Sequence, residues 1–236
     1  MMHHTGPLLP ALTADQMREV DRVMVDELHI GLIQMMENAG RNLADLAQHR
    51  YLPAEVVVLA GPGGNGGGGL VAARHLANRG VQVRVVLAGE DSQVPAAQRQ
   101  LDIIRRMDVP ISAEPPDHSD VVVDALIGYS LRGNPRGRAA SLITWANARP
   151  TPVLSLDTPS GLDVTTGVAA TPCVRADATL TLALPKLGLV GSPEVGDLYL
   201  ADISVPAQVY VRFGYTVGHP FARGSLVELD DSGQPR

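Results

Sequence analysis

The stretch Val56-Val57-Val58-Leu59-Ala60-Gly61-Pro62-Gly63-Gly64-Asn65-Gly66-Gly67-Gly68-Gly69-Leu70-Val71-Ala72-Ala73-Arg74-His75-Leu76 decides the fold. Its first five residues form a short continuous apolar run, the pattern of a strand buried on both faces of a parallel sheet. Seven glycines then fill the nine positions from Gly61 to Gly69. From Leu70 to Arg79 the chain reads as a helix that Gly80 closes as a C′ residue, and Val81 to Leu87 resumes as a strand. This is a βαβ unit with a glycine loop at its first turn. Such a loop lets bare backbone N–H groups approach a phosphate at a helix N-terminus. No Gly-Lys-Ser/Thr follows, so it is not a Walker-type nucleotide loop.

The pattern extends in both directions. Upstream, Thr13 is the expected N-cap of a helix carrying Met17, Val20, Val23 and Met24 at spacings of three and four. A second helix is expected from about Leu32 to His49, with Met35, Met36, Ala39, Leu43 and Leu46 on one face. Downstream come a helix near Ala96 to Met107, a strand at Val121 to Leu126, a helix at Arg138 to Ala148 and a strand at Val153 to Leu156. Two more strands, Ala178 to Leu184 and Asp197 to Ile203, follow without a clear helix between them and should extend one edge. This alternation specifies an α/β fold: a Rossmann-like three-layer αβα sandwich with a mostly parallel sheet and two helices before the first strand. No linker divides residues 1–236, which read as a single domain with a polar C-terminal tail from about Gly224.

Composition narrows the function. The chain is 45% hydrophobic, with Lys+Arg 19 against Asp+Glu 25 and a net charge of −6. It has no basic stripe, so nucleic acid is an unexpected partner. No apolar run approaches the ~20 residues that span a bilayer, and Met1 to Pro10 lack a signal-peptide pattern. With Cys173 as the only cysteine, a cytoplasmic protein is expected. Lys186 is the only lysine, which suits a site needing a compact point charge where a planar guanidinium would not fit.

In sheets of this kind ligands bind beyond the carboxyl ends of the strands, and most of the unusual residues fall there. Asn65, amid the glycines, either occupies a left-handed turn position or aims its oxygen at a ligand or ion. Asp124 and Asp157 end two strands and should share one edge of the sheet. With Ser160 and Asn65, Asp124 makes a set of oxygen ligands suited to a hard cation, not to zinc. The loop Gly128-Tyr129-Ser130-Leu131-Arg132-Gly133-Asn134 combines glycines, hydroxyls and a guanidinium able to fork onto a phosphate. Asp157, in a segment stiffened by Pro159, is a reasonable general acid/base. Glu90-Asp91 after the second strand could imitate the ribose-binding acid of a classical dinucleotide fold.

Five motifs in order then show a family likeness. They are Met36-Glu37-Asn38-Ala39-Gly40, the glycine loop running into Leu70 to Leu76, Asp124-Ala125-Leu126-Ile127-Gly128 with Ser130 to Gly133, Asp157-Thr158-Pro159-Ser160-Gly161-Leu162-Asp163, and Leu184-Pro185-Lys186-Leu187-Gly188. Along nearly its whole length the chain resembles the NAD(P)H-hydrate epimerase family, the YjeF amino-terminal domain. The resemblance implies an isomerase that interconverts the R and S epimers of hydrated NADH and NADPH. It implies Asp157 as general acid/base with Lys186 close by, and a potassium ion held by Asn65, Asp124 and Ser160. It implies substrate contacts from Asn38, from Gly64, Asn65, Gly66, Gly67 and Gly68, from Gly128 to Asn134, and from Asp157. A homodimer and a dehydratase on a separate chain are also implied.

The family loop usually reads Gly-Pro-Gly-Asn-Asn-Gly-Gly-Asp-Gly. Here Gly64 stands for the first Asn and Gly68 for the Asp, which removes one amide and one carboxylate. Two other readings follow from the same residues. One is a non-catalytic nucleotide- or protein-binding module of the same fold. The other is an NAD-dependent oxidoreductase, which the glycine loop and Glu90-Asp91 suggest but for which no downstream His or Tyr-x-x-x-Lys dyad is found.

Overall fold

The computed structural model describes residues 8–89 and 94–236. Glu90-Asp91 and the chain start with His3-His4 lie outside the described residues. Both helices expected before the first strand are present: α1 (Ala14–Arg22), continued by a π-helical turn at Val23–Glu27, and α2 (Leu32–Tyr51). Thr13 caps α1 through a reciprocal pair. Its Oγ1 accepts from the Gln16 amide at 3.2 Å, and the Gln16 side chain accepts from the Thr13 amide at 2.9 Å, which satisfies two donors the helix itself leaves free. Backbone bonds from Leu12 to Pro185 and from Leu187 to Leu12 then tie the start of α1 to the segment that carries Lys186.

The alternating part follows as β1 (Glu55–Ala60), α3 (Gly64–Asn78), β2 (Gln82–Leu87), α4 (Pro95–Arg106), β3 (Ile111–Ser112), β4 (Val121–Ala125), α5 (Gly137–Asn147) and β5 (Val153–Leu156). After it come β6 (Ala178–Leu182), β7 (Asp197–Ala201), α6 (Ala207–Val211) and β8 (Leu226–Glu228). The sheet order is β3-β2-β1-β4-β5-β6-β7-β8, parallel throughout except for β8 against β7. Successive side chains point to opposite faces: Val56, Val58 and Ala60 join the core under α1 to α4, while Val57 and Leu59 join the core under α5. Gly80 ends α3 with φ +83°, as its C′ role requires.

One expectation needs correction, and one alternative closes. The glycine run is not a loop up to Leu70, because α3 starts at Gly64 and the glycines form its first turns. The reason is close approach. A Cβ on Gly66 would lie 1.8 Å from the Gly61 carbonyl oxygen, and one on Gly69 would lie 2.5 Å from the Ala125 Cβ. Packing against β1 and β4 at this distance outweighs the roughly 1 kcal/mol that each helical glycine costs relative to alanine. Asn65 is therefore helical, not left-handed. Within the polar tail, Leu226–Glu228 pairs with β7, and the Leu229 side chain is buried in the main core.

Candidate active site

The chain runs from β1 outward to β2 and β3, then returns to β4 on the other side of β1. That reversal opens a crevice between the carboxyl ends of β1 and β4, where ligands bind in sheets of this type. A cavity of 460 Å³ occupies it. Its polar wall comes from Gly63, Gly64 and Asn65 at the α3 start, from Gly128, Tyr129 and Ser130 after β4, and from Asp157 after β5. Met17, Met35, Met36, Ala39 and Leu156 supply an apolar wall, and Asp21 of α1 lines it as well. No side chain caps α3, so the N–H groups of its first turn have no partner within the helix and face an incoming group.

Asp157 is held in an unusual conformation. Its φ is +66°, and the Thr158 amide donates to the Leu156 carbonyl at 2.8 Å across it, a γ-turn of the rare positive-φ kind. A side-chain-bearing residue in this region costs about 1–3 kcal/mol and persists where its surroundings over-determine it. The surroundings here are specific. Lys186 Nζ donates to Asp157 Oδ1 at 2.6 Å, and the Tyr129 amide donates to Oδ2 at 3.0 Å. Lys186 is completely buried and also donates to Thr181 Oγ1 at 2.9 Å and to the Leu182 carbonyl at 2.8 Å. All three ammonium hydrogens are thus used, which a guanidinium could not do in the same space. The lone lysine of the sequence is the fixed counter-charge of Asp157.

Asp124 is fully buried. It accepts from Ser160 Oγ at 2.6 Å, the Ser160 amide at 2.8 Å, Ser155 Oγ at 2.8 Å and the Leu126 amide at 3.2 Å. All of these donors are neutral, and burial pushes its carboxyl above the usual carboxylate range despite them. Ser160 Oγ also accepts from the Ile127 amide at 2.8 Å, which fastens the loop after β4 to the loop after β5. Asn65 stands beside Gly128, and its Nδ2 is buried without a partner.

Of the residues singled out from the sequence, the fold gathers Gly64, Asn65, Gly68, Gly128, Tyr129, Ser130 and Asp157 around the cavity, with Lys186 directly behind Asp157. Gly66 and Gly67 pack against Gly61 and against Met36 and Ala97. Leu131 lies over a neighbouring hollow beside Thr13, Arg132 and Gly133 are exposed, and Asn134 accepts from the Thr171 amide. Asn38 donates to Ser204 Oγ at 2.8 Å, next to a second cavity of 540 Å³ that shares Ile203 with the first.

Sequence reasoning missed Asp21. The Tyr129 hydroxyl donates to its Oδ2, and burial, together with the negative charge of Asp157, raises its pKa. Burial also pushes the Tyr129 phenol up, and Asp21 adds to the effect. A signal was present. Asp21 falls four residues after Met17 and three before Met24, on the apolar face of α1, where an acid has no place unless something needs it.

Comparison with known proteins bears on the family and the fold. The family model described as YjeF-related protein N-terminus matches residues 32–188. A protein named NAD(P)H-hydrate epimerase from Dehalogenimonas lykanthroporepellens is 46% identical over 97% of this chain and 96% of its own length. One of the same name from Truepera radiovictrix is 37% identical over 90% of this chain and 99% of its own. A Salinibacter ruber protein named bifunctional NAD(P)H-hydrate repair enzyme is 37% identical, and the match spans 42% of its length. The crystal structure of the yeast protein ynu0 shares the fold with a TM-score of 0.82, at 23% identity, over 94% of this chain and all of that one. The chain belongs to the family of the YjeF-related protein N-terminus.

Proposed function

We propose that this chain is an NAD(P)H-hydrate epimerase, interconverting the R and S epimers of hydrated NADH and NADPH. The observation that carries the reading is Asp157, held at φ +66° on the wall of a nucleotide-sized crevice with one carboxylate oxygen on Lys186 and the other beside the cavity. A strained, doubly tethered carboxylate serves chemistry better than it serves a binding scaffold, so the enzyme is preferred to the non-catalytic module. Epimerisation needs the hydroxyl of the hydrated ring carbon to leave and return. The lone pair of the adjacent ring nitrogen expels it, and the cationic carbon–nitrogen double bond that forms is stabilised by surrounding negative charge. Asp157 handles the proton of the departing or arriving water on its face of the ring. The free N–H groups at the start of α3 and the loop from Gly128 receive the phosphates.

A potassium ion fits the same site. Asn65, Asp124 and Ser160 would hold it. They offer only oxygen donors, Asp124 is a buried carboxylate with neutral partners alone, and the orphaned Asn65 amide would gain a partner with its oxygen turned toward the ion. When bound, the ion would supply positive charge to the site. The reading includes a homodimer, a cytosolic setting and a dehydratase on a separate chain. Among the described residues, no helix is long and apolar enough to cross a membrane.

The test is conversion of the separated R epimers to the S form, followed by chromatography in potassium buffer with the spontaneous rate subtracted. The wild type should accelerate it and Asp157→Asn should not. A folded wild type that gives only the background rate would sink the proposal.

A further inference from the structure

Inversion at one carbon poses a geometric problem that Asp157 alone does not solve. The hydroxyl leaves from one face of the ring and water must add to the other. A single carboxylate can serve one face, and a second group is required across the ring. Among the described residues lining the cavity, Asp21 and Asp157 are the carboxylates. They enter from different elements, α1 and the end of β5, and Tyr129 spans the gap, with its backbone amide on Asp157 and its phenol on Asp21. Inverting glycosidases likewise set two carboxyl groups apart on the two sides of a sugar ring, with room for an attacking water.

We propose that Asp21 is the second catalytic acid/base, acting on the ring face opposite to the one that Asp157 serves. The inference rests on the epimerase reading. For the epimer whose hydroxyl faces Asp21, the Asp21 carboxylic acid gives its proton to the hydroxyl oxygen as the C–O bond breaks. The bonding pair leaves with the water, and the ring nitrogen's lone pair forms the C=N bond. A water on the Asp157 side then attacks the same carbon, the C=N electrons return to nitrogen, and the Asp157 carboxylate takes the proton. One water is consumed and one released, nothing is oxidised or reduced, and solvent returns the proton between the acids. The other epimer runs the sequence backwards with the two roles exchanged. The division of labour follows the structure: Lys186 pairs with Asp157, the base of the forward step, and Asp21 has the neutral Tyr129 phenol as its hydrogen-bond partner. Burial that raises the Asp21 pKa favours its protonated form.

The experiment is Asp21→Asn, assayed with each purified epimer in ¹⁸O-water. Inversion is read by chromatography and incorporation of label by mass spectrometry. The inference expects inversion to fall by about 10²–10⁴-fold, the usual contribution of one general acid or base. Starting from one of the two epimers only, label should still exchange without inversion, through the face that Asp157 serves. Inversion within threefold of wild type overturns the proposal. So does equal loss of exchange and inversion from both epimers, the mark of a structural role. If Asp21→Asn folds poorly, Asp21→Glu should keep inversion that Asp21→Gln lacks, and equal rates in those two overturn it. A wild type that accelerates neither inversion nor exchange refutes the epimerase reading itself, a separate outcome.

Discussion

Gly64 and Gly66 lie two positions apart in the same helical turn, yet adding one methyl to each should have opposite effects. A Cβ on Gly64 meets nothing nearer than the Met36 Cε at 3.8 Å, ordinary contact with the end of a flexible side chain. Alanine there loses less backbone entropy on folding than glycine, so Gly64→Ala should stabilise by about 0.5–1 kcal/mol. A Cβ on Gly66 meets the Gly61 carbonyl oxygen at 1.8 Å and its carbonyl carbon at 2.7 Å. Both belong to backbone that no rotamer change can move. The helix and the end of β1 would have to part by roughly 1 Å, against the rest of the core, and overpacking of this kind costs about 1–3 kcal/mol, occasionally more. Against a total stability of about 5–15 kcal/mol, that is a large fraction. Urea denaturation of both variants at 25 °C measures the difference directly, with m-values compared to confirm the same transition. In melting temperature, each kcal/mol is worth about 2–4 °C for a chain of this size. Gly66→Ala within 1 kcal/mol of wild type, or Gly64→Ala destabilising by more than that, would refute the packing account of the glycine run.

Lys186→Met leaves Asp157 buried with the Tyr129 amide as its side-chain donor and should cost about 3–5 kcal/mol; a loss under 1 kcal/mol in the same titration would show the pair to be dispensable. Cys173, whose thiol is pushed up to about 12 by burial, should hold about one thiolate in 10⁴ at pH 8. Its reaction with a disulfide reagent should therefore be far slower in the native protein than in the unfolded chain, and equal labelling rates in the two states would contradict this. Potassium chloride should stabilise the fold relative to choline chloride at equal ionic strength, by about 2.7 kcal/mol at a hundredfold excess over Kd, read as a higher melting temperature, and Asn65→Ala should abolish the difference. Indistinguishable melts in the two salts would remove the ion from the site.

The chemistry at the strand ends was legible because of where it falls in the chain. Val121–Val123 and Val153–Leu156 read as buried strands by composition alone, which placed Asp124 and Asp157 on one edge of the sheet before any coordinates. The order of strands, however, could not be read. Parallel strands are paired by crossovers whose direction leaves no local mark, and β3, with two residues, is too short to show a period. The same holds for β8, whose three residues become a strand only because β7 offers an open edge.

By itself, the sequence determined the α/β class, the two leading helices, the glycine turn and the carboxylates at the sheet's edge, because hydrophobic period, caps and strand-end positions are local properties. Only the tertiary structure decided that the glycines are helical. Their freedom from side chains matters where β1, β4 and α2 press against α3, and those neighbours are far away in the sequence. It also decided that Lys186 is the counter-charge of Asp157 and that Asp21 enters the cavity. Both depend on residues 29 and 108 positions from their partners being brought within a hydrogen bond, a distance that only the packed sheet and α1 can fix.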